Sequence, residues 1–375
     1  MVAIVGRVLL ALLGLGLVAA VLGSALRTVV LPRGVPAKLG RAVFNTMRSV
    51  YELRMRRADS YADRDAIMAS YGPVSLLVLL QVWLVACWFG FAAVYLALGF
   101  SLERALRESG SSLLTLGFDR PEGFASALLA FVEATVGLVL LALLITYLPS
   151  LYSAFSRREA HVTKLEVRAG SPPSGTELLS RVYTLGRGDL LNKLWLDWED
   201  FFVDIEETHT SFPALAFFRS PQPDHHWVTA SGAVLDAASL QASVVAGERD
   251  LDAELALRAG FLALARICEF FALSYPLDPA PDDPISVRRE EFDEALVRLD
   301  EAGVPLIQDR DQAWRDFAGW RVNYDAVLLN LATLTMAPYA PWSSDRSATF
   351  RRSPVLPRLG REPGSSGDAS GTPQL

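Results

Sequence analysis

The chain has 375 residues, 51% of them apolar, with a mean hydropathy of +0.27 and a formal net charge of −7. The hydropathy is high for a water-soluble protein, and the acidic balance excludes a chain built around a basic nucleic-acid-binding face. Two cysteines, Cys87 and Cys268, exclude a disulfide framework or a cysteine-rich metal knuckle and are expected as unpaired buried thiols.

In chain order, the first apolar stretch is Val8–Leu26, uncharged and long enough to cross a bilayer. Arg7, the apolar run and Gly23-Ser24-Ala25 also fit a secretory signal, and the charge that follows decides between the two. A basic linker, 32–73, carries Arg33, Lys38, Arg41, Arg48, Arg54, Arg56, Arg57 and Arg64. Such a loop belongs on the cytoplasmic side. The second stretch, Val74–Phe100, is uncharged. The connection 101–123 holds three arginines against four acids, and the third stretch, Phe124–Phe155, contains one charge, Glu133. Arg157, Arg158, Lys164 and Arg168 follow at once. All three charge distributions fit one layout: N-terminus outside, 32–73 inside, 101–123 outside, and everything after the third span inside. The expected organisation is a first transmembrane helix (1–31), the basic linker, a two-helix membrane domain (74–156), a cytoplasmic helical domain (157–342) and a disordered tail (343–375). The localisation is a multi-pass plasma membrane protein.

Between the second and third stretches, Ser101–Ser112 can form a short helix with Ser101 as N-cap and Glu103 in its first turn. It runs into Leu114-Thr115-Leu116-Gly117-Phe118-Asp119. Helix, short helix, Thr-x-Gly-aromatic, helix resembles the pore domain of bacterial potassium channels. In that family a Thr-Val-Gly-Tyr-Gly segment from each of four chains lines a filter with backbone carbonyls. The resemblance implies that Thr115 forms the innermost site, that Leu116 stands for the usual valine, Gly117 for the first glycine and Phe118 for tyrosine. Asp119 stands where the second glycine is usual, and four such carboxylates at an outer mouth would form an anionic ring. Gly137, twenty residues beyond Gly117, lies where channel inner helices bend. Pro149 is expected to kink or end the third helix. Glu133 has two readings, a functional carboxylate facing protein or water, or a brace for the re-entrant loop. The whole chain is also similar to uncharacterised bacterial membrane proteins with a two-helix pore domain and a helical C-terminal region.

After residue 156 apolar residues recur at helical spacing in 189–209, 225–246, 250–274, 289–302 and 311–335, with Pro and Gly at the joins. Residues 157–342 hold 30 acidic against 17 basic residues, a net charge of −13. That excludes a nucleic-acid face and a domain lying flat on an anionic leaflet. Trp195, Trp198, Phe201 and Phe202 fall on one helix as core. Glu206-x-x-His209 has the spacing of a di-iron half-site, but no second copy appears, so a helix-end hydrogen-bonding role is expected. His225-His226 are expected to open the next helix. No nucleophile elbow, phosphate loop or dinucleotide motif is present, so no enzyme and no cofactor are expected.

The fold class expected is therefore all-α, an integral membrane protein with three transmembrane helices, a re-entrant loop between the second and third, and a cytoplasmic helical domain. Its expected function is that of a potassium-channel-like cation channel, a homotetramer with monovalent cations, potassium first, and lipid as partners. The alternative is a non-conducting membrane scaffold or sensor that keeps the pore architecture.

Overall fold

A computed structural model of the protein describes residues 2–31, 38–119 and 121–346. Regular structure among them is helical, with no strand and one isolated antiparallel bridge, Val245 to Leu306. Three helices are long and apolar enough to cross a membrane: α1 (Val2–Val29), α4 (Tyr71–Ala97) and α6 (Phe124–Ala169).

Helices α1 and α4 pack through glycine. A Cβ on Gly14 would overlap the Gly90 carbonyl oxygen, and one on Gly90 would lie 2.8 Å from Val18 Cγ2. In an apolar medium, where burial of apolar surface does not drive helices together, such close backbone approach is what van der Waals attraction needs. The Trp83 indole N–H donates to Ser24 Oγ at 3.2 Å and adds a polar tie to the same pair.

The basic stretch between α1 and α4 is more than a linker. It folds into α2 (Lys38–Met55) and α3 (Tyr61–Ala69), the latter started by a Ser60/Asp63 capping box. Tyr51, Met55 and Met68 enter the main core of the C-terminal half. Helix α6 also crosses the expected boundary near 156, and it does not end at Pro149, which lies inside it. The two halves of the chain thus share one continuous helix.

Beyond α6 come α7 (Gly175–Thr184), α8 (Asp189–Ser211), α9 (Trp227–Val244), α10 (Leu251–Phe270), α11 (Arg289–Glu301), α12 (Arg310–Arg321) and α13 (Asp325–Thr335). Central α9 is buried along nearly its whole length, as a helix apolar all round must be. Trp195, Trp198, Phe201 and Phe202 of α8 are core, as their spacing predicts, and Cys87 and Cys268 are free and buried. The helical spacing read over 311–335 belongs to two helices, α12 and α13. The Asn323 side-chain amide donates to the Gly319 and Trp320 carbonyls at 2.9 and 3.2 Å, satisfying the end of α12 and competing with continuation of the helix. Arg321, fully buried, is held there by Asp236 and Asp325, with Tyr324 donating to Asp236 at 2.9 Å. The first residues of the expected tail are packed: Ser344–Arg346 form a 3-10 turn, and Arg346 donates to Glu291 at 2.6 Å. The rest of the tail, from 347 on, lies outside the described residues, as do Arg33 and Arg120.

Candidate functional site

The connection between α4 and α6 holds α5 (Leu102–Leu113), whose first turn is capped by Ser101 accepting from the Arg104 N–H at 3.3 Å. Its acidic first-turn residue is Glu103, as the sequence suggests. The helix doubles back along α4. Trp88, nine residues short of the end of α4, donates its indole N–H to the Leu106 carbonyl at 2.8 Å and lies over Gly110. Ser109 donates to the Trp88 carbonyl at 3.0 Å.

On its other side α5 runs in the same direction as α6. Ser109 meets Glu133, and four residues later on both helices Leu113 meets Gly137. A Cβ at Gly137 would overlap the Leu113 carbonyl oxygen, so the glycine is needed for contact. Gly137 is thirteen residues into α6, about 20 Å along the axis at ~1.5 Å per residue. Helix α5 therefore stops far down the length of α6, and the chain must climb back from Leu114 to Gly123 before α6 begins.

The climb opens with an unusual backbone. The Ser111 carbonyl accepts from the Leu116 N–H at 2.8 Å and the Gly117 N–H at 3.5 Å, while Ser111 Oγ accepts from the Asp119 N–H at 3.2 Å. Thr115 has φ +55° and Gly117 φ +70°, with Leu116 between them outside the left-handed region. For Gly117 this conformation is free of penalty, and nothing lies within 4 Å of where a Cβ would be. For Thr115, a β-branched residue, it is an outlier worth of order 1–3 kcal/mol, the kind of strain that concentrates at functional segments. Leu114, Leu116 and Phe118 are all about half exposed or more, apolar side chains without cover inside the chain.

The charges around this segment are largely matched within the chain. Asp119 pairs with Arg107 at 3.3 Å and Arg104 with Glu122 at 3.0 Å. Within one chain the Asp119 carboxylate is tied back to α5 by Arg107. Asp119 does not adopt the positive φ that a second glycine would supply.

Below the segment lies a buried polar cluster. Glu133, Ser109 and Tyr95 are fully buried and Glu108 is 1% exposed. Both Glu108 carboxylate oxygens, Glu133 Oε2 and the Tyr95 hydroxyl lack a hydrogen-bond partner among the described residues. Thr115, Leu116, Gly117 and Phe118 thus form one contiguous exposed segment that ends at the half-buried Asp119, while Glu133 and Gly137 contact the helix that leads into it. Sequence reasoning missed Trp88, Arg107, Ser109 and Ser111. Trp88 was hidden in an apolar run, and the serines are ordinary helix-surface residues until the depth of α5 is known.

The second cluster weighed in the sequence is structural. Glu206 pairs with Arg266 at 2.6 Å, and Glu207 accepts from Ser211 at 3.1 Å. His226 caps α9, its Nδ1 accepting from the Val228 N–H at 3.2 Å, and His225 Nε2 contacts Glu166 at 3.0 Å. Among the described residues no group of three metal-ligating side chains converges. His209 donates from Nδ1 to the Ile205 carbonyl at 2.9 Å and accepts at Nε2 from Arg158, at 3.3 Å. Arg158 of α6, 1% exposed, also donates to the Leu215 and Phe218 carbonyls at 2.8 Å each. It ties the long membrane-length helix to the helical half.

Comparison of the chain with protein-family models, with curated proteins and with solved structures finds no match.

Proposed function

We propose that the protein is a cation channel of potassium-channel-like architecture, in which four copies bring their 114–119 segments around one axis. The observation that carries this reading is the course of the chain: α5 doubles back along α4 and ends beside Gly137, and the returning segment leaves α5 with positive φ at Thr115 and Gly117 and its apolar side chains uncovered. Positive φ at alternate residues reorients successive carbonyls, which a path lined by backbone oxygens needs. The negative end of the α5 dipole points toward the same region and favours a cation over an anion there. On this reading monovalent cations, potassium first, are the substrate. The basic α2–α3 region and the acidic helical half lie in the cytoplasm of a bacterial inner membrane. The helical half then acts on the pore through α6, which belongs to both.

A non-conducting scaffold or sensor with the same architecture is the second reading. Asp119 favours it, because it is paired to Arg107 and holds a negative φ where the family carries glycine. Purified protein, measured for mass in mild detergent and then for potassium flux in liposomes, separates the two. A tetramer that conducts supports the channel. A tetramer that carries no cation at any pH or voltage supports the scaffold, and a monomer removes the channel reading.

A further inference from the structure

Behind the 114–119 segment, α4, α5 and α6 enclose the polar cluster of Tyr95, Glu108, Ser109 and Glu133, and Ser109 fixes its proton count. The Ser109 hydroxyl lies 3.0 Å from the Trp88 carbonyl and makes a short contact with Glu133 Oε1. A serine hydroxyl has one proton, and a backbone carbonyl can only accept it. With that proton on the Trp88 carbonyl, the contact between the oxygens of Ser109 and Glu133 needs a proton of its own. The Glu133 carboxyl is the group that can carry it.

The surroundings supply nothing to hold Glu133 as an anion. It is fully buried, and its second oxygen, Oε2, has no hydrogen-bond partner among the described residues. The groups that face it are neutral or negative. From α4 come the buried Cys87 thiol and the Tyr95 hydroxyl, which is fully buried, lies close to Glu133 and Ser112 and bonds neither. From α5 comes Glu108, the residue before Ser109, which interacts electrostatically with Glu133 and has both oxygens buried and unpartnered. Helix α1 places its Arg7 beside Gly99, beyond the end of α4. The charges that face Glu108 are Asp119, Arg104 and Glu122. Arg104 is taken by Glu122, and Arg107, one turn further along α5, by Asp119. Two neighbouring carboxyls away from water, with no cation between them, do not both stay ionised.

We infer that Glu133, faced by Glu108, is a buried proton-binding site: its carboxyl carries a proton at neutral pH, donates it to Ser109, and thereby latches α5 against α6. The proton belongs to the closed packing. Once α5 lifts, water reaches the carboxyl and it ionises. Rising pH therefore favours release of α5 and disturbs the 114–119 segment that α5 carries. The site does not depend on conduction and holds for channel and scaffold alike.

Two measurements on the full chain in detergent test this. At about pH 7 carboxyls in water are ionised. The infrared difference between wild type and Glu133→Gln at that pH should contain the carbonyl stretch of a neutral carboxylic acid. Its absence would show that Glu133 is ionised and would overturn the inference. Amide hydrogen exchange over residues 102–119, read by mass spectrometry, tests the latch. Wild type and Glu133→Gln should exchange alike at about pH 7, because glutamine donates the same hydrogen bond at every pH. At about pH 9 wild type should exchange faster, by up to about tenfold for each pH unit above the point where the proton leaves. Equal rates at both pH values would show that the proton does not hold α5. Glu108→Gln removes the charge that faces Glu133 and should move the divergence to higher pH. An unmoved profile would take Glu108 out of the site.

Discussion

At the scale of single residues, Glu133 shows most clearly what the sequence could and could not tell. A lone carboxylate in an apolar span marks a site, and its two readings, functional group or brace, were both open. The structure adds its neighbours. Ser109 has one hydroxyl proton and two acceptors, the Trp88 carbonyl and Glu133. A side chain at 133 that both accepts and donates satisfies this count. Glu133→Gln should therefore leave the melting temperature of purified protein nearly unchanged. Glu133→Leu, which removes the hydrogen bond between Glu133 and Ser109, should destabilise the α5–α6 contact by about 1 kcal/mol. Equal melting temperatures for the two variants would show that the hydrogen bond does not brace α5.

His209 and His226 give a second residue-scale prediction. Burial, reinforced by Arg158 or Arg219, holds both well below the ordinary imidazole range. A depressed folded pKa means the unfolded chain binds more protons, so stability is full above about 6.5 and falls as pH drops below it. Each imidazole contributes at most ~1.4 kcal/mol per pH unit on that descent. Asp236, raised by burial to about 6, works in the opposite sense. It favours the fold as pH falls from about 6 toward its unfolded value, so it blunts the loss there. Melting temperatures taken from pH 7.5 down to about 5 should fall more gently for His209→Gln than for wild type, since the substitution keeps an acceptor for Arg158 and removes one titrating group. Parallel curves would show that His209 does not drive the transition.

At the scale of elements, periodicity carried most of the fold. Helix α8, with its aromatic face, and helices α9, α10 and α11 have bounds close to the expected ones because each has an unbroken apolar pattern and a Pro- or Gly-bearing join. Helices α2 and α3 were read only as charge. Their apolar residues, Tyr51, Met55 and Met68, are too few to stand out, and their burial depends on a core built mostly by residues more than a hundred positions later. Helix α7 escaped for a similar reason, being short and adjoining the Ser-Pro-Pro-Ser-Gly break. The depth of α5 was beyond the sequence because it rests on the Gly137–Leu113 contact, and glycine is common in membrane helices.

The α3 region is locked to the helical half by an ion pair. Arg219 meets Asp65 at 3.1 Å, with both side chains at least nine-tenths buried, and also donates to the Thr335 and Met336 carbonyls. Arg219→Met leaves a buried carboxylate alone and should cost about 3–5 kcal/mol. Adding Asp65→Leu should recover part of that loss, as replacing a buried pair by apolar groups often does. Urea or thermal unfolding of the three proteins measures it. A single variant as stable as wild type would mean that the pair is solvated in solution.

At the scale of the whole molecule, the proposed layout puts α2–α3 and the helical half on the same side of the membrane, which their shared core independently requires. The native cysteines are buried, so introduced thiols report cleanly. Cysteine at Asp59 should resist an impermeant thiol reagent in intact cells, and cysteine at Glu103 should react. The opposite pattern would invert the layout without changing the fold.

The central claim is that the 114–119 segment lines a cation path, and potassium flux into liposomes reconstituted with wild type and Gly117→Val tests it most directly. Valine is β-branched and strained at a φ of +70°, while the open space around Gly117 means that the substitution disturbs backbone conformation rather than packing. The account predicts potassium flux through wild type and none through Gly117→Val, with both proteins eluting as the same oligomer. Equal flux through the two would contradict it.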